Sequence, residues 1–351
     1  MNYDNNKYIK LRNWIDINKL NWLYLVIVRS FNYSSCTSPI YVYFLENNLH
    51  LISNVGDLKW LWRLYSESPY AMHIIAKNIE NIDWVALTQN PNAIPIIEKN
   101  LDKISWHYLS LNPNAGHILE KNIDKVNWGY LSQNPGAIAI LEKHTDKIDW
   151  HKISLNPNPN IIPIIEQNLD KIYWPYLSFN PNSISILEKN IDKIDWDYIC
   201  GNPNAIHIIQ CNLHKDLNWT RLSKNPNAAH LLKKNINKID WETLSVNKNA
   251  ISILEQNLNK IDWEYILTNE MAMDIIEQNM VQNIEWINWR YLSINQNIFT
   301  YDYPALKQRM KNSGLASDLM ANRFHPKNMD KWSDWGQTDD NDNDNDNDND
   351  N

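Results

Sequence analysis

Glycine is scarce in this chain, with 7 among 351 residues. So few leave no Gly-rich phosphate cradle. Neither G-x-G-x-x-G nor G-x-x-x-x-G-K-[ST] occurs, which removes the dinucleotide-binding and P-loop classes. Cysteine is scarcer still: Cys36, Cys200 and Cys211 have spacings that suit neither a metal site nor a disulfide framework, so a reducing compartment is the expectation. Long apolar runs are missing too. The longest near the N-terminus, Trp22 to Val28, is far shorter than the ~20 residues needed to cross a bilayer, and no small-residue cleavage site follows a basic start. The expectation is a soluble, unprocessed protein, neither secreted nor transmembrane. A uniform charge of one sign is also lacking. The net charge is −8, but Asp339, Asp340, Asp342, Asp344, Asp346, Asp348 and Asp350 supply seven negative charges in the tail, leaving −1 for residues 1–338.

What the chain has is repetition. The stretch from Ile194 to Leu213 recurs along most of the sequence, with consensus I-D-W-x-Y-L-S-x-N-P-N-A-I-x-I-L-E-K-N-x-D-K. Its tryptophans are Trp62, Trp84, Trp106, Trp128, Trp150, Trp174, Trp196, Trp219, Trp241, Trp263 and Trp289, 22 residues apart except for gaps of 24, 23 and 26. A fixed period of this size means stacked repeats, each too small to bury its own apolar face.

Within a repeat, Asp195 reads as the cap of a short helix in which Ile194, Trp196 and Ile199 share a face. Asn202-Pro203 reads as the start of a second helix, with Asn as N-cap and Pro at the first helical position. Ala205, Ile206, Ile208 and Ile209 line one face of that helix, and Asn212 falls where a left-handed cap residue is wanted. The fold class expected is all-α, an αα-repeat solenoid of about twelve helix-turn-helix units with atypical caps. The alternative is a leucine-rich-repeat-like solenoid, since 22 residues also falls in that range. Against it, the apolar spacing runs i, i+1, i+3, i+4, and Pro follows the Asn that such a fold would place in an asparagine ladder.

Four segments follow. Residues 1–61 read as an N-terminal cap of degenerate repeats: Ile17 to Leu25 matches a repeat start, Phe44 to Ser53 aligns with Ile96 to Ser105, and Ile40-Tyr41-Val42-Tyr43 is strand-prone. Residues 62–303 are the solenoid, interrupted by two extra residues at Asn156-Pro157-Asn158-Pro159-Asn160 and one at His214 to Asn218. After Trp263 the pattern decays, Asn269-Glu270-Met271 replacing Asn-Pro-Asn, and the array is expected to end there. Residues 304–338 read as a C-terminal cap, and the Asn-Asp alternation of 339–351 as disordered.

Candidate chemistry is thin. His73, His117, His207 and His230 share the exposed x of A-I-x-I-L, but neighbouring repeats ~8–10 Å apart are too distant for one metal ion. Glu98, Glu120, Glu142, Glu166, Glu188, Glu255 and Glu277 recur in register, mostly followed by Lys, which suits a charged surface rather than paired catalytic acids. No nucleophile elbow or zinc-protease helix occurs. The expectation is no enzyme, no cofactor and no metal. The informative break is at 207–239, where Gln210 and Lys233 stand at the Glu position. Lys215, Arg221, Lys224, Lys233, Lys234 and Lys238 face a single Asp216 there, a local charge of +5. Such a patch could draw an acidic protein or nucleic acid. Tyr108, Tyr130, Tyr176, Tyr198, Tyr265 and Tyr291, two residues after each Trp, form a second stripe that suits amphipathic packing, or stacking of bases or proline-rich peptides.

The repeat, with its Trp, Asn-Pro and Glu-x-Asn markers over roughly residues 10–300, resembles the short tandem repeats of uncharacterised proteins of giant DNA viruses that infect amoebae. Phe324-His325-Pro326 followed by Trp332 is similar to the C-terminal end of those proteins, whereas residues 26–43 and the Asn-Asp tail depart from the pattern. The resemblance implies a viral origin, a multi-copy family and a place in the host cytoplasm or the virion, and supplies no activity. The function expected is a non-enzymatic scaffold for an unknown protein partner. A nucleic-acid-binding array and a virion structural component are the alternatives.

Overall fold

A computed structural model describes residues 9–12, 15, 42, 55–280, 285 and 287–301. The expectations for residues 17–25, 44–53, 304–338 and 339–351, and for Cys36, lie outside the described residues. Of the strand-prone Ile40 to Tyr43 only Val42 is described, and it is helical and buried.

The chain divides into two units. In the second, Ile9 and Lys10 lie in one short strand and Thr300 and Tyr301 in its partner. The first unit, which holds Leu11–Phe299, is an all-α repeat array. Each tryptophan from Trp84 to Trp241 opens a short helix, such as Trp84–Gln89, Trp128–Gln133, Trp196–Ile199 and Trp219–Lys224. A second helix follows, such as Ile138–Lys143, Ile206–Cys211 or Ala229–Lys234. Most repeats then add a third element absent from the helix-turn-helix expectation, a single 3-10 turn such as Ile123–Lys125 or Ile191–Lys193. Trp62 alone sits within a longer helix, Val55–Glu67. Leu61 stands there in place of the capping Asp, so nothing stops the helix upstream, and the expected boundary at residue 62 falls inside it.

The first helix starts as the sequence implies. Asp195 is the N-cap, its carboxylate accepting from the amides of Asp197 and Tyr198 at 3.0 and 2.9 Å. Ala205, Ile206, Ile208 and Ile209 are buried as expected. The Asn-Pro pair, however, does not start the second helix. The Asn202 amide closes onto the carbonyl of Ile199 two residues past the Cys200 C-cap of the first helix, and the Asn202 Oδ1 accepts from the amide of Asn204 at 3.0 Å. The second helix begins three residues later behind Ala205, with no side-chain cap. Asn202 is instead fully buried, and its side-chain N–H groups donate to the carbonyls of Ser178 and Asn180 in the preceding repeat at 3.0 and 2.8 Å.

The same rung recurs at Asn90, Asn112, Asn134, Asn156, Asn180, Asn225, Asn247, Asn269 and Asn295, none more than 3% exposed. This is an asparagine ladder built between helices. The Pro that argued against a ladder is compatible with it because Pro forfeits only its own N–H. The strand-based alternative fold is set aside, since the repeats are helical. The array also runs past Trp263: Asn269 and Asn295 hold rungs without Pro after them. The insertion at 156–160 is absorbed as a 3-10 turn, Pro159–Ile161, and the rung at Asn180 still closes across it.

Two further asparagine roles support the stack. The second Asn of Asn-Pro-Asn bonds the preceding repeat's Pro carbonyl, as Asn204 does to Pro181 at 2.9 Å. Gly136 replaces that residue once, and a Cβ there would lie 1.9 Å from the Pro113 carbonyl oxygen, so the two turns approach backbone to backbone. Asn212 does not take the expected left-handed conformation; with φ −128° and ψ 33° it turns its side-chain N–H back to the Ile208 carbonyl at 2.8 Å. The open last-turn carbonyl is satisfied by the side chain, so no positive φ is needed. Serine adds a parallel link: the Ser178 hydroxyl accepts the amide of Asp195, the next repeat's N-cap, at 3.0 Å. At the far end, Arg12 meets the last rungs, its Nε donating to the Asn297 carbonyl at 2.8 Å and its guanidinium pairing with Glu277 at 2.5 Å.

The ladder makes a contrast testable by denaturant unfolding. Asn134→Ala leaves the buried Ser110 carbonyl without a partner, removes the donor to Asn112 and frees the exposed Gly136 amide to water, and should cost about 2–3 kcal/mol, whereas Pro135→Ala should cost under about 1 kcal/mol.

Candidate interaction surface

With backbone and asparagines committed to the stack, chemistry is left to the outward side chains. The four histidines do not form a metal site: among the described residues no group of three or more His, Cys, Asp or Glu is placed to hold an ion. Two of them serve instead as cross-repeat partners of the acidic row, and a third meets a glutamine that replaces one of its glutamates. His117 Nε2 lies 2.8 Å from Glu98 and His207 Nε2 lies 3.0 Å from Glu188, while His230 meets Gln210. Lys143 and Lys189 reach Glu120 and Glu166 in the same way, and the Lys143 hydrogen bond holds the Glu120 carboxyl below its usual range. Four carboxylates of this row, Glu98, Glu120, Glu166 and Glu188, are thus met by a side chain of the next repeat, and Glu277 is met by Arg12. The tyrosine stripe is self-packed: Tyr108 and Tyr130 stack with centroids 6.3 Å apart, and Tyr176 meets Tyr198 edge-on at 6.1 Å.

Sequence reasoning missed a device that the lysines build. Seven tryptophan rings each carry a lysine ammonium from the end of their own repeat: Lys103 on Trp84, Lys125 on Trp106, Lys171 on Trp150, Lys193 on Trp174, Lys215 on Trp196, Lys238 on Trp219 and Lys260 on Trp241, at 4.7–5.6 Å from the ring centroids. These are cation–π contacts. The signal was the constant spacing from Trp to the Lys of D-K, 19 residues in most repeats.

The six residues of the expected basic patch accordingly separate. Lys215 and Lys238 are tryptophan lids. Arg221 stacks over Tyr198 at 4.5 Å and pairs with Asp197 at 3.2 Å. Lys224, Lys233 and Lys234 are exposed at the ends of the helices Trp219–Lys224 and Ala229–Lys234. Lys233 replaces the row's Glu, and the cations that meet Glu elsewhere have no counterpart there: the corresponding positions of the next repeat are Ser252 and Gln256. A ring does not neutralise the ammonium above it, so Lys215 and Lys238 still contribute positive potential beside this trio.

Two titratable groups, one buried and one half-buried, lie elsewhere. Cys200 takes the serine place in the hydroxyl ladder, its thiol donating to the Trp196 carbonyl at 3.1 Å; burial pushes it up to about 11. Burial likewise raises the Glu67 carboxyl to about 7, against the opposing pull of Arg63 and with a smaller push from Asp83. Neither has a nucleophile or base geometry around it, and both read as features of packing.

Each gives a prediction. In a Cys36→Ser protein, exposed Cys211 should react with a thiol reagent at pH 8 within the native state and Cys200 only on unfolding, with Cys200→Ser at least as stable as the parent. Glu67 binds its proton more tightly folded than unfolded, so its contribution is full below pH ~4.5 and is lost as pH rises toward 7. Glu67→Gln should therefore gain on the parent over that window, by about 1–3 kcal/mol at pH 8 once screening at the part-exposed carboxyl is allowed for, with the gap closing near pH 4 in paired denaturant titrations.

Among the described residues no helix is long and apolar enough to cross a membrane. No protein-family model, curated protein or solved structure matches the chain.

Proposed function

We propose that this protein is a non-enzymatic scaffold that presents the basic surface around Lys224, Lys233 and Lys234, flanked by Lys215, Arg221 and Lys238, to an acidic segment of a protein partner. The observation that carries the reading is the break in the acidic row. At Glu98, Glu120, Glu166 and Glu188 the row is met by a His or Lys of the next repeat, whereas at Lys233 the sign reverses and no acid among the described residues answers it. Unpaired exposed lysines on an ordered helix end suit charge-complementary recognition, where they add association rate and orientation. The stack beneath stays uniform, so affinity resides in the varying outward positions.

A nucleic-acid-binding array is the second reading, favoured by the same +5 charge. The self-packed tyrosines weigh against a base-stacking platform. The resemblance to giant-virus repeat proteins supports a scaffold that acts in the host cytoplasm or in the virion, and a virion component would appear at high copy number in purified particles.

Affinity capture of tagged protein from infected host lysate, with and without nuclease and at two salt concentrations, separates the readings. A nuclease-resistant protein partner lost with the double substitution Lys233→Glu, Lys234→Glu supports the scaffold. Recovery of nucleic acid alone, released by moderate salt, overturns it, since phosphate binding weakens steeply as salt rises.

A further inference from the structure

The lysine-on-tryptophan contact repeats along the array except at Trp128, whose ring lies against His144 while Lys147 pairs with Asp146, and it is missing again at Trp263, where the sequence offers no lysine at all. Nineteen residues after Trp84, Trp106, Trp174, Trp196, Trp219 and Trp241 stands a lysine; nineteen after Trp263 stands Gln282. The whole stretch 261–289 contains no Lys or Arg, while it carries Asp262, Glu264, Glu270, Asp274, Glu277 and Glu285. Of these acids, Glu270 and Glu277 are met by Lys248 and Arg12 from elsewhere in the chain. No cation from a described residue lies over the Trp263 ring.

At this ring the structure has a cavity of about 520 Å³, lined by Trp263, Glu264, Asn279, Met280 and Asn288. Asn288 donates to the Glu264 carboxylate at 2.6 Å, which orients the carboxylate without neutralising it. Met280 is buried and gives the cavity an apolar wall. An aromatic face, an oriented carboxylate and an apolar wall are the elements that recognise an alkylammonium group.

We infer that the Trp263 cavity is a binding site for a lysine side chain presented by a partner polypeptide, which takes the place that the chain's own lysine occupies in the other repeats. Lysine is the occupant assigned because the same protein seats lysine on the equivalent ring seven times, with the ammonium 4.7–5.6 Å from the centroid. The ammonium would lie over the indole and toward Glu264, with the aliphatic stem against Met280. This site takes a basic ligand and is independent of the lysine surface at 224–234, which calls for an acidic one, so either can fail without the other.

The test uses the full chain labelled with 5-fluorotryptophan, with resonances assigned by Trp263→Phe and Trp241→Phe. Titration with N-acetyl-lysine methylamide should shift the Trp263 fluorine resonance saturably and leave Trp241, already covered by Lys260, in place; the norleucine analogue should shift neither. Glu264→Gln, at an exposed position, should weaken the response roughly two- to fivefold. Gln282→Lys, which restores the repeat's own lysine, should abolish it. A Trp263 resonance that does not move, that moves equally with norleucine, or that moves together with every other tryptophan would overturn the inference. A response unchanged in both Glu264→Gln and Gln282→Lys would do the same.

Discussion

The buried asparagine amide is the interaction on which the rest of this structure depends. Its two N–H groups close onto two carbonyls of the preceding repeat, and its oxygen holds the amide two residues ahead, as at Asn202 with Ser178, Asn180 and Asn204. No other side chain of that length offers two donors and an acceptor in one plane: Asp lacks the donors, Ser has one, and Gln carries an extra methylene. The rung does two things at once. It sets the tight turn between the helices of one repeat, and it joins that turn to the turn before it, so local conformation and long-range stacking are specified together. Leu, Ile and Ala then fill the space between layers, with Leu177, Leu187, Ile199 and Ala205 fully buried. Because helices of four to six residues are too short to persist alone in water, the order of each repeat rests on its neighbours.

Much of this was legible from residue spacing. The period gave the stack, Asp195 gave the first cap, and the Ile and Ala positions gave the buried face. The Asn-Pro pair was legible as punctuation but not in its role. Read locally, Asn before Pro is a helix start; its second partner lies 22–24 residues away in the preceding repeat, beyond any local rule. The survival of Asn247, Asn269 and Asn295 where Pro is lost was the signal that Asn carries the constraint. Asn212 misled for a related reason, since a side chain that satisfies the last carbonyl makes the left-handed turn unnecessary.

The surface was less legible than the core. Six basic residues between 215 and 238 counted as one patch, but a tally of charges does not reveal that two of them cover tryptophans and a third pairs with Asp197. Charge in a repeat protein is best judged against the position it occupies. Lys238 is the ordinary occupant of its place, whereas Lys233 reverses the sign of the row it stands in. The same comparison identifies Trp263, where the ordinary lysine is missing from the sequence and an acidic stretch surrounds the ring. Differences between repeats, rather than the repeat itself, are where recognition of a partner is to be sought.

The central claim is that the asparagine side chain stabilises the array as a hydrogen-bond donor to the preceding repeat. Asn180→Asp tests this most directly, because it keeps the shape and removes the donors at neutral pH while a protonated acid restores one. Unfolding free energies of this protein and the parent, compared at pH 8 and pH 4, should show a deficit at pH 8 that narrows at pH 4, since the folded-state carboxyl would be raised by burial among carbonyls. An Asn180→Asp protein as stable as the parent at pH 8, or a deficit equal at both pH values, would contradict the account.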